Sequence, residues 1–197
     1  MTKNRAATAD DLFALLDLME GNGIPVVVHG GWAVDALTGT SREHRDVDLL
    51  AHERDRARLA RLLAPHITKR TTHKLKLDYN GALVDLVFYR LNRHGKPITL
   101  SDSRMARWHP DMLAGVRAPL LGREIPVVGP CAACAEKVAQ EVRSRTDHSQ
   151  DDMMDKALAD MEHLRPLMTP EQLEDAKRYF DVPCTAWDRL LIRLGLR

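Results

Sequence analysis

Three carboxylates and a pair of glycines are the residues of this 197-residue chain whose types and spacing could do chemistry. Asp46 and Asp48 stand two apart in Arg42-Glu43-His44-Arg45-Asp46-Val47-Asp48-Leu49-Leu50. On a strand, alternation puts both acids on one face and Val47 and Leu49 on the other. Two like charges so close repel each other, and a cation between them relieves that cost. Hard oxygen ligands suit Mg²⁺, which keeps part of its water shell and also binds phosphate oxygens. A solvent-facing edge strand carrying two acids would read the same way. Asp85 lies in the apolar run Ala82-Leu83-Val84-Asp85-Leu86-Val87-Phe88. Burying a carboxylate there requires a partner, either a metal shared with Asp46 and Asp48 or a salt bridge to one of the many arginines. Gly30-Gly31 follows an apolar run and opens a helical one. Glycine there lets backbone amides approach a phosphate, and a helix N-terminus adds partial positive charge. A Gly-Gly pair at a strand end can also be a plain turn.

The surrounding pattern supplies elements that would position these groups. Thr8 is a good N-cap with Asp11 three residues on, and Leu12, Leu15, Leu16 and Met19 follow at helical spacing as far as Gly21-Asn22-Gly23. Ile24–Val28 reads as a buried strand with Pro25 near its start. Trp32–Leu37 is a short helix stopped near Gly39. Val47–Ala51 is a second strand, and Arg54–Leu63 a helix ended by Pro65. The clearest hairpin joins Leu75–Tyr79 to Ala82–Tyr89 through Asn80-Gly81, which tolerates the positive φ angles of a type I′ turn. Arg93–Pro97 is a loop. Ala118–Leu121 and Glu124–Val128 form a smaller hairpin about Gly122-Arg123. After Gly129-Pro130 the pattern turns helical, over 131–143, 151–164, 170–180 (with Pro170 at a helix start) and 184–195. The predicted organisation is an α/β core over 1–129 and a C-terminal helical region over 130–197 that completes a substrate cleft.

Taken together, strand–Gly-Gly–helix, then a strand with Asp-x-Asp, then a later strand with a lone Asp, is the pattern of the polymerase β nucleotidyltransferase superfamily. His29-Gly30-Gly31-Trp32-Ala33-Val34-Asp35, Gly39 and Arg42–Asp48 resemble a narrower group, the lincosamide nucleotidyltransferases and related aminoglycoside adenylyltransferases. The likeness continues more loosely through Val84-Asp85-Leu86, Arg123–Val127, a helix carrying Lys137 and the stretch near Thr146-Asp147-His148, covering roughly 10–165. The superfamily usually has Gly-Ser where this chain has Gly30-Gly31, and the antibiotic-modifying branch shares the Gly-Gly-Trp form. The resemblance implies a mixed sheet flanked by helices and an active site in which Asp46, Asp48 and Asp85 hold two magnesium ions. Asp85 would accept the proton of an attacking hydroxyl, Gly30 and Gly31 would cradle a triphosphate, and Arg42, His44 and Lys137 would add positive charge to it. The implied reaction is transfer of AMP from ATP, the expected NTP, to a hydroxyl of a lincosamide or aminoglycoside, with release of pyrophosphate. A toxin-type transferase acting on tRNA or protein is the alternative within the enzyme class, and a non-catalytic nucleotide-binding relative the alternative outside it. The intact trio of acids speaks against the latter.

Composition agrees with a small acceptor. With 44% apolar and 29% charged residues the chain reads as an ordinary globular protein. Its longest apolar runs fall far short of the roughly 20 residues of a membrane span, and the N-terminus lacks the apolar core of a signal peptide, so a cytoplasmic monomer or homodimer is expected. Lys and Arg number 29 against 28 Asp and Glu, a balance that disfavours nucleic acid as a partner. Three cysteines are too few for a disulfide framework and fit a reducing compartment. Cys131 and Cys134 belong to an apolar helix stripe with Ala135, Val138 and Val142. Trp32 suits the core better than base stacking, and Asp35 a structural pairing with an arginine. His109, His148 and His163 have no metal-ligand spacing and read as surface or locally hydrogen-bonded, and Glu53–Arg58 and Asp151–Asp155 as solvated helix faces.

Overall fold

The protein is described from a computed structural model covering residues 5–101, 104–146, 151–179 and 182–183. Helix α1 (Ala9–Gly21) begins as its sequence requires. The Thr8 N–H donates to Asp11 Oδ2 (2.9 Å), the Asp11 N–H donates back to Thr8 Oγ1 (3.3 Å), and Leu12, Leu15, Leu16 and Met19 form the buried stripe. Strand β1 (Val26–His29) starts two residues later than the apolar run suggests, after the left-handed turn at Gly23. Helix α2 (Gly30–Thr38) begins on the glycines themselves and ends at Gly39, whose φ of 69° closes the last turn.

Strand β2 (Asp46–His52) pairs antiparallel with β1 and parallel with the long β5 (Ala82–Leu91). Between them run a 3₁₀ turn, the short helix α3 (Arg56–Leu62), and strands β3 (Ile67–Arg70) and β4 (Lys74–Tyr79). The β4–β5 hairpin turns through Asn80 (φ 54°) and Gly81 (φ 88°), the two positive angles expected there. Strands β6 (Pro97–Leu100) and β7 (Arg104–Arg107), followed in the sheet by β10 (Val182–Pro183), extend it beyond β5. They are short, β6 begins on a proline, and the sequence alone predicts no strand there. The hairpin β8 (Arg117–Leu120)–β9 (Arg123–Pro126) stands apart as its own two-stranded sheet.

Helix α4 (Pro130–Thr146) is capped by Asp111, whose Oδ2 accepts the Cys131 N–H at 2.9 Å while its carboxylate packs on Gly129, leaving no room for a β-carbon there. His109 joins this cap. Its Nδ1 accepts the Asp111 N–H and its Nε2 meets Asp175 at 3.2 Å, so it is locally bonded, as expected, although the fold also brings it beside Cys131. Helices α5 (Asp151–Leu164) and α6 (Pro170–Ala176) pack on α4, and α5 also reaches α2. Helix α6 is shorter than the 170–180 expected. The expected helix over 184–195 and His148 lie outside the described residues. Cys131 and Cys134 are buried core groups, Trp32 is buried, and His163 is exposed. One surface reading needs correction. Asp55, in the run Glu53–Arg58, is buried because it turns inward at the start of α3, where Arg58 reaches it at 3.1 Å.

Candidate active site

The sheet register sets one row of ionisable side chains. His29 on β1 stands opposite Asp48 on β2, Asp48 opposite Asp85 on β5, and Asp85 opposite Lys76 on β4. Residues directly opposite share a sheet face, and Asp46 joins that face by alternation. The three acids that the sequence singles out therefore converge on one face. Asp85 is the least isolated. Lys74 Nζ lies 2.7 Å from its Oδ2 and Lys76 Nζ 3.5 Å from its Oδ1, so the salt-bridge alternative is met by lysines, which alternation on β4 turns to the same face, and not by an arginine. Asp46 faces the more exposed Arg45 at 3.6 Å.

Asp48 has no such relief. Burial drives its pKa up, and although His29 opposes the change, the neighbouring Glu136, Asp46 and Asp85 push further, to about 7. A carboxylate that cannot easily ionise, surrounded by further hard oxygen donors, fits a divalent cation. Protonation of Asp48 favours the fold because its folded pKa lies above the usual value. Its contribution to metal-free stability is thus full below about pH 4 and is lost as the pH rises through about 7. Asp48→Asn, neutral throughout, is expected to melt higher than the wild type in chelator at pH 8, with a margin that shrinks towards pH 4. Thermal melts across that range check this, and a margin independent of pH would contradict it.

The glycines are demanded by close approach. Gly30 has φ 68°, and a β-carbon there would collide with Asp48 Oδ2. One on Gly31 would lie 2.7 Å from His44 Nδ1 and 2.8 Å from an Arg42 guanidinium nitrogen. Only bare backbone fits between the α2 N-terminus and these side chains. The Gly30 N–H is already engaged, donating to Glu136 Oε2 at 3.1 Å. No side chain of the N-cap residue, His29, caps α2.

Asp35 is the hub of the loop that carries Arg42 and His44. Its carboxylate accepts from Thr40 Oγ1 (3.0 Å) and the Arg42 N–H (3.1 Å), meets His44 Nε2 at 2.8 Å and lies 3.8 Å from Arg42 Nε. Burial opposes ionisation, but these partners outweigh it and hold the Asp35 pKa below its usual value. The His44 ring lies on Trp32 with centroids 4.0 Å apart, and Trp32 Nε1–H donates to the Asp46 carbonyl at 3.0 Å. The Arg42 guanidinium reaches both oxygens of Asp160 at 3.1 and 3.0 Å, and Lys137 Nζ reaches the same carboxylate at 3.1 Å.

Two cavities meet at this place. The smaller, about 120 Å³, is lined by Gly31, His44 and Gln140 and by a balanced set of charges, Arg42, Arg45, Lys137 and Lys156 against Glu43, Asp46, Asp48 and Asp160. The larger, about 290 Å³, lies between Asp48 and Asp85 on one side and Trp108, Tyr179 and the small residues Ala132, Ala135 and Ala139 on the other. Asp48 lines both. Gly30 touches Asp48 from beneath and lines neither.

Two acids at the site, one partly and one fully buried, were not singled out from the sequence. Glu136 on α4 faces the larger cavity and lies 3.1 Å from His29 Nδ1. Burial raises its pKa, but His29, Lys137 and the Gly30 N–H together bring it down to about 2. Asp160 on α5, 3% exposed, sits in line with the buried Ala157 and Leu164. A charged residue in an apolar helical stripe was the available signal.

Among known proteins, the family model described as aminoglycoside-2''-adenylyltransferase matches residues 11–164, well over half of the chain. A lincosamide resistance protein of Staphylococcus haemolyticus is 48% identical over 48 residues, a match spanning 24% of this chain and only 30% of that protein. The fold is similar to that of the lincosamide antibiotic adenylyltransferase LnuA in its lincomycin-bound crystal structure (TM-score 0.60, 22% identity, 83% of this chain and 100% of that one). It is similar also to ANT(2'')-Ia in complex with adenylyl-2''-tobramycin (TM-score 0.65, 14% identity, 87% of this chain and 96% of that one). These likenesses establish the polymerase β-type nucleotidyltransferase fold, a mixed sheet with flanking helices.

Proposed function

This chain belongs to the aminoglycoside-2''-adenylyltransferase family, and on that premise we propose that it transfers AMP from ATP to a hydroxyl of a lincosamide- or aminoglycoside-type antibiotic, releasing pyrophosphate. The observation that supports this most directly is the place of Asp48, beside Asp46 and Asp85, where a smaller charged cleft and a larger cavity meet. The smaller cleft offers Arg42, Arg45, Lys137 and Lys156 to the phosphates, and the larger cavity has room for an acceptor, so hydroxyl and α-phosphorus meet at the carboxylate row. The relatives' own substrates make the choice of acceptor concrete, since LnuA binds lincomycin and ANT(2'')-Ia an adenylylated tobramycin.

Asp46, Asp48 and Asp85 would hold the magnesium ions, which when bound neutralise the phosphate oxygens and stabilise the leaving pyrophosphate. The chain's own residues do the rest. Arg42 and Lys137 share Asp160, which holds their charges at the cleft wall before any nucleotide arrives, so little reorganisation opposes phosphate binding. His44, wedged between Asp35 and Trp32, sets the position of the loop that carries Arg42. Gly31 leaves room for the His44 ring and the Arg42 guanidinium to lie against the first turn of α2. Asp85 is within the acceptor cavity and takes the proton of the attacking hydroxyl once Lys74 yields. We divide the chain into a 1–129 core and a 130–197 helical region that contributes Glu136, Lys137 and Asp160 to the cleft. No helix among the described residues is long and apolar enough to cross a membrane, and we place the enzyme in the cytoplasm, with the ATP it uses.

A polyanionic acceptor would need many unbalanced Lys and Arg contacts, and this chain interleaves its 29 basic and 28 acidic residues, as in Glu53-Arg54-Asp55-Arg56. With radiolabelled ATP and Mg²⁺, the purified protein is expected to label lincomycin or tobramycin, to protect a bacterium expressing it, and to leave total tRNA unlabelled. Labelled tRNA, with neither drug modified, would instead identify a tRNA-directed transferase.

A further inference from the structure

His29 carries a feature that the metal site and the nucleotide cleft leave unexplained. It ends β1, it is 5% exposed, and it lines the larger cavity beside Asp48. Its Nδ1 meets Glu136 Oε1 at 3.1 Å, and Trp108 packs edge-on against the ring with centroids 5.5 Å apart. Its other nitrogen, Nε2, is buried and has no hydrogen-bond partner. Leaving a buried polar atom unsatisfied is costly, whereas Glu136 is fully employed, with one oxygen on His29 and the other on the Gly30 N–H. The ring is therefore held from one side by the partly buried Glu136 carboxylate, while its other nitrogen is buried without a hydrogen-bond partner.

We propose that His29 is an acceptor-binding residue whose Nε2 completes its hydrogen bonding with a polar group on the hydroxyl-bearing part of the acceptor, and that Glu136 is the positioning residue that fixes the ring. This rests on the proposed transfer reaction and adds to it one anchor for the acceptor, separate from the carboxylates that face the metal. The anchor belongs to the larger cavity alone, because His29 does not line the smaller cleft. An interaction there holds the acceptor and not the nucleotide. A buried carboxylate behind a histidine is a common means of fixing ring orientation.

Asn and Gln substitutions separate the two ends of the ring. Asn places its amide near Nδ1 and can keep the bond to Glu136, whereas Gln reaches towards Nε2. His29→Asn is expected to raise the acceptor KM about ten-fold or more, the effect of losing one buried hydrogen bond, with the ATP KM within about two-fold of wild type. His29→Gln is expected to recover much of the acceptor affinity. Glu136→Gln should weaken acceptor binding less than His29→Asn does. Calorimetric titration of lincomycin and tobramycin into the protein without metal or ATP reads the same effects apart from turnover. As a check that needs no variant, the Nε2 resonance of His29 in ¹⁵N-histidine-labelled wild type should move more than its Nδ1 resonance on adding the drug. Acceptor affinity unchanged in both His29 variants, or recovered by Asn and not by Gln, would show that the histidine serves only to satisfy Glu136. An unmoved Nε2 resonance at saturating drug would overturn the proposal as well. If the wild type neither binds nor modifies either drug, the transfer reading fails first and takes this inference with it.

Discussion

Asp48→Asn and Asp85→Asn are each expected to lower kcat by about three orders of magnitude or more, while the circular dichroism spectrum of the folded protein stays that of the wild type. The two carboxylates stand opposite each other on parallel strands, and both face the cavity assigned to the acceptor. Asp48 also lines the smaller cleft. Asn keeps the shape of each side chain and removes the charge on which cation binding depends. Neither change removes a core contact, since Val47, Leu49, Val84 and Leu86 fill the opposite face of the sheet. The two variants should differ in stability. Asp48→Asn relieves a carboxylate that burial and like charges disfavour, whereas Asp85→Asn gives up the ion pairs to Lys74 and Lys76. Steady-state kinetics at saturating Mg²⁺ decide the matter. Near-normal turnover in either variant would move the chemistry to another part of the molecule.

Asp35→Ala is expected to give the largest loss of stability. Four groups lose their acceptor at once: Thr40 Oγ1, the Arg42 N–H, the Arg42 guanidinium and His44. Asp35 and His44 are both almost fully buried, so water cannot take over. Removing one partner from such a buried network costs about 3–5 kcal/mol, which for a chain of this size lowers Tm by roughly 10 °C. Asp35→Asn should fall between the variant and the wild type, because its amide oxygen still accepts one bond. The loop from Thr40 to Arg45 should loosen first, so the ATP KM should rise even at temperatures where the protein is folded. A melting temperature within a degree or two of wild type would mean that the loop is held by something else.

How legible the site was depended on how local its determinants are. The Asp46–Asp48 pair, the glycines and the Asn80-Gly81 turn are set by neighbouring residues, and each takes the backbone conformation its sequence suggests. That Asp48 and Asp85 share a face follows from alternation on each strand, but that they stand directly opposite depends on the parallel register of β2 and β5, which no local pattern states. Lys74 and Lys76 reach Asp85 through the antiparallel β4–β5 register, which the Asn80-Gly81 turn sets locally. Glu136 and Asp160 stayed hidden because their partners His29 and Arg42 lie 107 and 118 positions away. The strands β6 and β7 were missed because their pairing with β5 and with each other, more than their composition, makes them strands. Asp55 misled in the opposite way. It looks like one charge in a solvated run, and it is buried because the 3₁₀ turn before α3 points it inward.

The most direct test of the central claim is mass spectrometry of the wild-type reaction with each NTP, Mg²⁺, and lincomycin or tobramycin. The expected product is the drug carrying one added AMP from ATP, with one pyrophosphate released per product formed. Unmodified drug across all nucleotides, from protein shown to be folded and metal-loaded, would contradict it.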